Sequence, residues 1–121
     1  MTVPAEPESL ALVRYRLEHW LEDCGADADD RFAITVAANE ACANAVVHAY
    51  GPRRGPTLSL VGTRGDGSIT VEVTDSGRWR APRRPGGRGL RLMKRLMDDV
   101  DIEHDERGTT VRMRKCRVAA A

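Results

Sequence analysis

Val36-Ala-Ala-Asn-Glu-Ala-Cys-Ala-Asn-Ala-Val-Val-His-Ala-Tyr50, followed by Gly51, is the stretch around which this chain of 121 residues is organised. It is rich in Ala and Val, contains neither Gly nor Pro, and meets a stop signal at Gly51, so it reads as a helix that ends there. Val36, Glu40, Asn44 and His48 recur every fourth residue and form one stripe on that helix. The stripe begins apolar and turns polar between small residues, Ala37, Ala41, Ala43 and Ala45, which let other groups come close. A carboxylate and an amide one turn apart can share a site: the Asn44 oxygen can ligate a hard cation such as Mg2+, and Glu40 can accept a proton. Glu and Asn at this spacing also occur on ordinary solvated helix faces, so the stripe acquires meaning only from the rest of the chain.

The length predicts one domain over residues 1–121, large enough to bury an apolar interior. No apolar run is long enough to span a membrane, and Met1 to Glu8 lacks the basic and apolar regions of a signal peptide. Cys24, Cys42 and Cys116 form no Cys-x-x-Cys pair, which argues against a disulfide framework or a zinc site and fits a reducing cytoplasm. The net charge of +1 hides an uneven distribution. Residues 1–50 carry nine acids against three bases, residues 51–97 three against eleven, and residues 98–121 six against five. A basic middle suits a polyanion or a phosphorylated small molecule.

Outward from the organising helix, the periods alternate. Ser9 is the expected N-cap of a first helix carrying Leu10, Val13, Leu17, Trp20, Leu21 and Cys24, stopped by Gly25. The Asp residues of 26–30 are expected to cap the second helix, about Arg31 to Ala49, with Phe32, Ala33, Val36, Ala37, Ala43 and Val47 as its apolar face. Residues 57–63 and 68–75 read as strands around a turn at 64–67. In the second strand Ile69, Val71 and Val73 point one way, and Asp75 shares their parity, which is unexpected for a carboxylate unless it meets a ligand. Residues 76–88 are a Gly-, Pro- and Arg-rich loop running into a helix over 89–97, an arrangement that presents backbone N–H groups to an anion. Strands over 100–104 and 109–115 complete the chain, with His19 and His104 read as solvated surface groups. The sum is an α+β two-layer sandwich: a four-stranded mixed or antiparallel sheet with helices on one face.

Four signals fall in order: Glu-x-x-x-Asn on a helix (40, 44), Asp-x-Gly at a strand end (75, 77), Gly-Gly-Arg-Gly-Leu entering a helix (86–90) and Gly-Thr opening the last strand (108, 109). On these residues the chain resembles the Bergerat-fold ATPase and kinase superfamily of gyrase, the ninety-kilodalton chaperones, histidine kinases and MutL. Within it, residues 39–50 resemble the anti-sigma-factor serine kinases, and the likeness covers roughly residues 9–115.

The resemblance implies ATP or ADP and Mg2+ as ligands. It implies Glu40 as general base, Asn44 as Mg2+ ligand, Asp75 as acceptor of the adenine amine, Gly77 as the close approach to the base and Thr109 as support for the adenine pocket. Gly87 and Gly89 correspond to the phosphate-side box. Arg83, Arg84 and Arg88 lie in the segment that acts as a lid, with Arg88 ranked first for the γ-phosphate. His48 and Tyr50 flank the site. Trp79 stands where many members carry a second glycine. The implied function is a cytoplasmic kinase that binds a sigma factor and phosphorylates a serine of a STAS-type anti-anti-sigma protein. A homodimer is implied. The basic block at 51–97 also raises the reading of a nucleic-acid-binding protein. It ranks last, because the arginines sit in a glycine-rich loop, aromatics are few and no reading helix or stacking strand motif appears, so no direct contact to nucleic acid or membrane is expected. The alternative within the same fold is a nucleotide-gated binding module without turnover.

Overall fold

The computed structural model describes residues 1–48, 56–76, 87–105, 108–116 and 118. In chain order the elements are β1 (Thr2–Pro4), α1 (Ser9–Asp23), α2 (Ala28–His48), β2 (Thr57–Gly65), β3 (Ser68–Asp75), α3 (Gly87–Leu96), β4 (Asp99–Asp105) and β5 (Gly108–Cys116). The strands form one sheet in the order β1-β2-β3-β5-β4, and every pairing is antiparallel. The two-layer α+β architecture is therefore as expected, but among the described residues the sheet has five strands rather than four. The additional strand comes from the N-terminal segment, where Val3 is buried opposite Leu58 and Pro4, which has no N–H to give, sits at the outer edge of the sheet.

The inward residues of the sheet, Leu58, Leu60, Ile69, Val71, Val73, Val111 and Met113, form one core with Val13, Leu17 and Leu21 of α1 and Met93 of α3. The face of α2 that joins them is made of Ile34, Ala37, Ala38, Ala41, Cys42 and Ala45, with Ala33 also buried. This corrects the expected face: Phe32 and Val47 are exposed and Val36 is only partly covered. Small side chains let the helix lie close to the sheet, whereas Phe32 and Val36 line an outer groove of about 460 Å³ between α1 and α2. Ile34 is the one large side chain on the buried face. Truncating a side chain so placed costs on the order of 2–5 kcal/mol.

The helix ends follow local chemistry. Ser9 is not the N-cap of α1; that position belongs to Glu8, and Ser9 is a buried first residue whose N–H reaches the Glu6 carbonyl at 3.0 Å. At the other end the Gly25 and Ala26 N–H groups close on the Glu22 and Leu21 carbonyls at 2.9 and 3.1 Å, a Schellman arrangement. Asp27 caps α2, its carboxylate accepting from the Asp30 N–H at 2.8 Å, so the helix begins three residues before the expected Arg31. Trp20 packs closely on β2: a Cβ at Gly62 would sit 2.7 Å from two atoms of the indole. The end of α3 is fastened to β5, where Lys115 Nζ donates to the Leu96 carbonyl at 2.8 Å and Asp98 accepts from the Cys116 N–H at 2.6 Å.

Gly108 opens β5 with φ 151° and packs against the backbone of Asp75. A Cβ there would fall on the Asp75 carbonyl oxygen, and the neighbour is backbone that cannot swing away. Gly108→Ala is expected to cost about 1–3 kcal/mol in strain alone, lowering the melting temperature by roughly 5–10 °C. Thermal unfolding followed by circular dichroism checks this; a variant that melts with the wild type would refute the close approach.

Candidate functional site

Two groups of polar side chains lie on the helix-covered side of the sheet. The first is on α2. Its small buried face turns Glu40 and Asn44 toward α3, and both are half-buried. The first turn of α3 rests on them: a Cβ at Gly89 would meet Asn44 Nδ2 at 3.1 Å and Glu40 Oε2 at 3.2 Å. Any larger residue at 89 would press on both. The glycine thus brings the N-terminal end of α3, where helix N–H groups lack helical partners, directly onto a carboxylate and an amide. Such an end attracts anionic groups, while Asn44 offers one neutral oxygen to a hard cation.

The second group is a cross-strand row. Register places Leu58, Asp75, Thr109 and His104 side by side on β2, β3, β5 and β4. Asp75 is 4 % exposed and Thr109 1 % exposed, so a carboxylate and a hydroxyl occupy core positions as immediate cross-strand neighbours. Asp75 is held from both sides. Ser76, next in the chain, donates its N–H to the Thr57 carbonyl at 3.1 Å, and its Oγ accepts from the Thr57 N–H at 2.8 Å. On the other side the Gly108 backbone abuts the Asp75 carbonyl. The β4–β5 hairpin is closed by the Gly108 N–H donating to Asp105 Oδ1 at 3.1 Å and by His104 Nδ1 hydrogen-bonded to Thr109 Oγ1 at 3.0 Å.

The structure therefore brings Glu40, Asn44 and Gly89 together, and Asp75 and Thr109 together. Gly87 opens α3 and Arg88 follows it, so the helix begins two residues earlier than expected. Gly77, Trp79, Arg83, Arg84 and Tyr50 lie outside the described residues, and His48 is the last residue of α2. His104 is not a purely solvated group, as the hydrogen bond to Thr109 shows, and His19 meets Tyr15 in a tilted ring contact, centroids 4.5 Å apart and planes at 57°. The signal for His104 was available: pairing Asp105 with Gly108 puts His104 opposite Thr109. Cys42 is fully buried, and burial pushes its thiol up to about 12, so at neutral pH it is an unreactive core side chain. Among the described residues no three His, Cys, Asp or Glu side chains converge as a metal cage, and no helix is long and apolar enough to cross a membrane.

Comparison with known proteins identifies the family of the fold. A match to the histidine kinase-like ATPase domain spans residues 3–115. The serine-protein kinase RsbW of Bacillus velezensis is 33% identical over 133 aligned residues, which cover 95% of this chain and 82% of that protein. RsbW of Bacillus subtilis is 32% identical over the same extent. Among solved structures, a chain carrying the RsbU and RsbW domains of a Mycobacterium tuberculosis protein superposes with a TM-score of 0.79 at 29% identity. That match takes in 100% of this chain, which spans about a third (32%) of the two-domain molecule. A histidine kinase domain from Erythrobacter litoralis, at 19% identity and a TM-score of 0.63, shares the fold. The glycine-backed Glu–Asn pair and the buried Asp–Thr row thus sit in a scaffold of known lineage: the chain belongs to the histidine kinase-like ATPase domain family, among the relatives of the serine-protein kinase RsbW.

Proposed function

We propose that this chain is an ATP-dependent protein serine kinase that also serves as an anti-sigma factor. The observation that carries the reading is the docking of Gly89 on Glu40 and Asn44, which sets a helix N-terminus, a candidate base and a candidate metal ligand around one point. The RsbW name of its relatives supports the kinase class.

In this reading Asp75 accepts the exocyclic amine of adenine, with Thr109 beside it and Gly77 leaving room for the base. The triphosphate runs toward Gly87 and Gly89, where the first turn of α3 faces its charge. Arg88 meets the γ-phosphate. The donor set suits Mg2+ held mostly by phosphate oxygens, because Asn44 supplies a single neutral oxygen and this ion tolerates few protein ligands. When bound, Mg2+ would neutralise charge on the phosphates. Glu40 orients the serine hydroxyl of the protein substrate and takes its proton. The hydroxyl oxygen bonds to the γ-phosphorus, the bond from that phosphorus to the bridging oxygen breaks, and ADP leaves with the electron pair. Phosphoryl transfer of this kind needs positioning and electrostatic stabilisation more than covalent help from the protein.

The partners in this reading are a sigma factor, held away from RNA polymerase, and a STAS-type anti-anti-sigma protein as phosphoryl acceptor. The working assembly is a cytoplasmic homodimer.

Glu40→Gln is expected to bind MgATP within about threefold of wild type while losing about a hundred- to ten-thousand-fold in phosphoserine formation, the range of general base assistance. Asn44→Ala is expected instead to weaken MgATP itself. Calorimetry and mass spectrometry of the acceptor on the same preparations separate the two; Glu40→Gln working at the wild-type rate removes the base. A wild type that binds MgATP and a STAS-type protein yet transfers nothing makes the chain a nucleotide-gated binding module. Asp75→Asn sets an amide donor against the adenine amine, a buried mismatch worth about 1–3 kcal/mol, or on the order of ten- to a hundredfold in affinity. A folded Asp75→Asn variant with unchanged ATP affinity would take Asp75 out of the pocket.

A further inference from the structure

We propose that His104 is a positioning residue of the nucleotide pocket, fixing the direction of the Thr109 hydroxyl and so the donor–acceptor pattern beside Asp75 that distinguishes one purine base from another. The inference rests on the adenine role given above to Asp75 and Thr109.

The geometry is specific. His104 and Thr109 are directly paired in the β4–β5 ladder, and His104 Nδ1 lies 3.0 Å from Thr109 Oγ1. Thr109 is a core residue, and its other cross-strand neighbour is Asp75. The Thr109 hydroxyl has one proton to give. An imidazole nitrogen at hydrogen-bond distance dictates where that proton goes. If Nδ1 accepts, the hydroxyl points at His104 and only its lone pairs face the pocket. If Nδ1 donates, the proton is turned away from the ring toward the Asp75 side. In either state the hydroxyl stops being a free rotor. Its position beside the Asp75 carboxylate makes a fixed hydroxyl part of the pattern that favours an amine at the base edge.

His104 reaches this point from outside. His104 is an exposed residue, unlike the buried Thr109 it touches. A residue that served only the hairpin would affect stability or weaken every nucleotide alike. A residue that directs the hydroxyl would affect discrimination. Adenine presents an amine at its six-position and hypoxanthine presents a carbonyl. A Thr109 hydroxyl that gives its proton to Nδ1 cannot donate to that carbonyl, whereas a released hydroxyl can rotate and do so.

The test measures the affinities of ATP and inosine triphosphate by calorimetry on the full chain, for wild type, His104→Ala and His104→Asn. The Asn amide can reach the place of Nδ1 and offers both a donor and an acceptor. Wild type is expected to prefer ATP. His104→Ala is expected to narrow the ATP to inosine triphosphate ratio by about three- to tenfold, the worth of one net hydrogen bond. His104→Asn is expected to keep the ratio within about twofold of wild type. An unchanged ratio in His104→Ala, or a parallel loss for both nucleotides, overturns the proposal. Should His104→Ala fail to fold, His104→Gln replaces it: its amide lies one carbon too far to occupy the Nδ1 position, so the ratio should narrow with Gln and hold with Asn. Equal ratios in those two variants also overturn the proposal. A wild type that binds neither nucleotide overturns the pocket assignment itself, and is told apart because the unmutated chain already fails.

Discussion

Everything in this fold depends on how closely α2 can lie against the sheet. Ala37, Ala38, Ala41, Cys42 and Ala45 are all buried, and none is large. Such a face brings backbone near backbone and gains dispersion contacts over its whole length. It also fixes the rotation of the helix. With the small residues turned to the core, Glu40 and Asn44 stand at the margin, where α3 crosses, and Gly89 lets that crossing be close. A bulkier α2 face would lift the helix and separate the polar pair from α3. The core packing and the site geometry are one constraint.

The strands were more legible than the helix faces, for a physical reason. A strand alternates strictly, so the inward parity of Asp75 and of Thr109 could be read from their apolar neighbours, and both are buried as that parity requires. A helix presents a broad stripe whose centre depends on its partner. Counting large apolar residues picked Phe32, Val36 and Val47, whereas a helix pressed flat on a sheet selects small ones and leaves Phe32 and Val47 in solvent. The three residues of β1 are too few for any period to declare itself; their strand character comes from pairing with β2.

The motifs for the site were visible as residue types at fixed spacings, but their contacts were not. Glu40 and Asn44 share a stripe by helix geometry alone. Their meeting with Gly89 needs the tertiary docking of two helices some fifty residues apart in the chain. His104 shows the opposite failure. Its partner is only five residues away, yet it is found by asking what stands across the hairpin rather than what stands beside it in sequence. Flanking acids made it look like part of a solvated run, while its inward parity with Val100 and Ile102 placed it beside Thr109.

The indole of Trp20 on Gly62 has a consequence for how such a sequence can drift. The two positions are far apart in the chain, yet the ring occupies the volume that any side chain at 62 would need. Neither site is free to change by itself. A side chain at 62 needs the indole to shift or shrink, and a smaller residue at 20 uncovers the strand at 62. Lineages that cross from one solution to the other pass through a misfit intermediate, so the pair should be inherited together. Where one of these residues has been replaced, the other is the first place to look for its compensation.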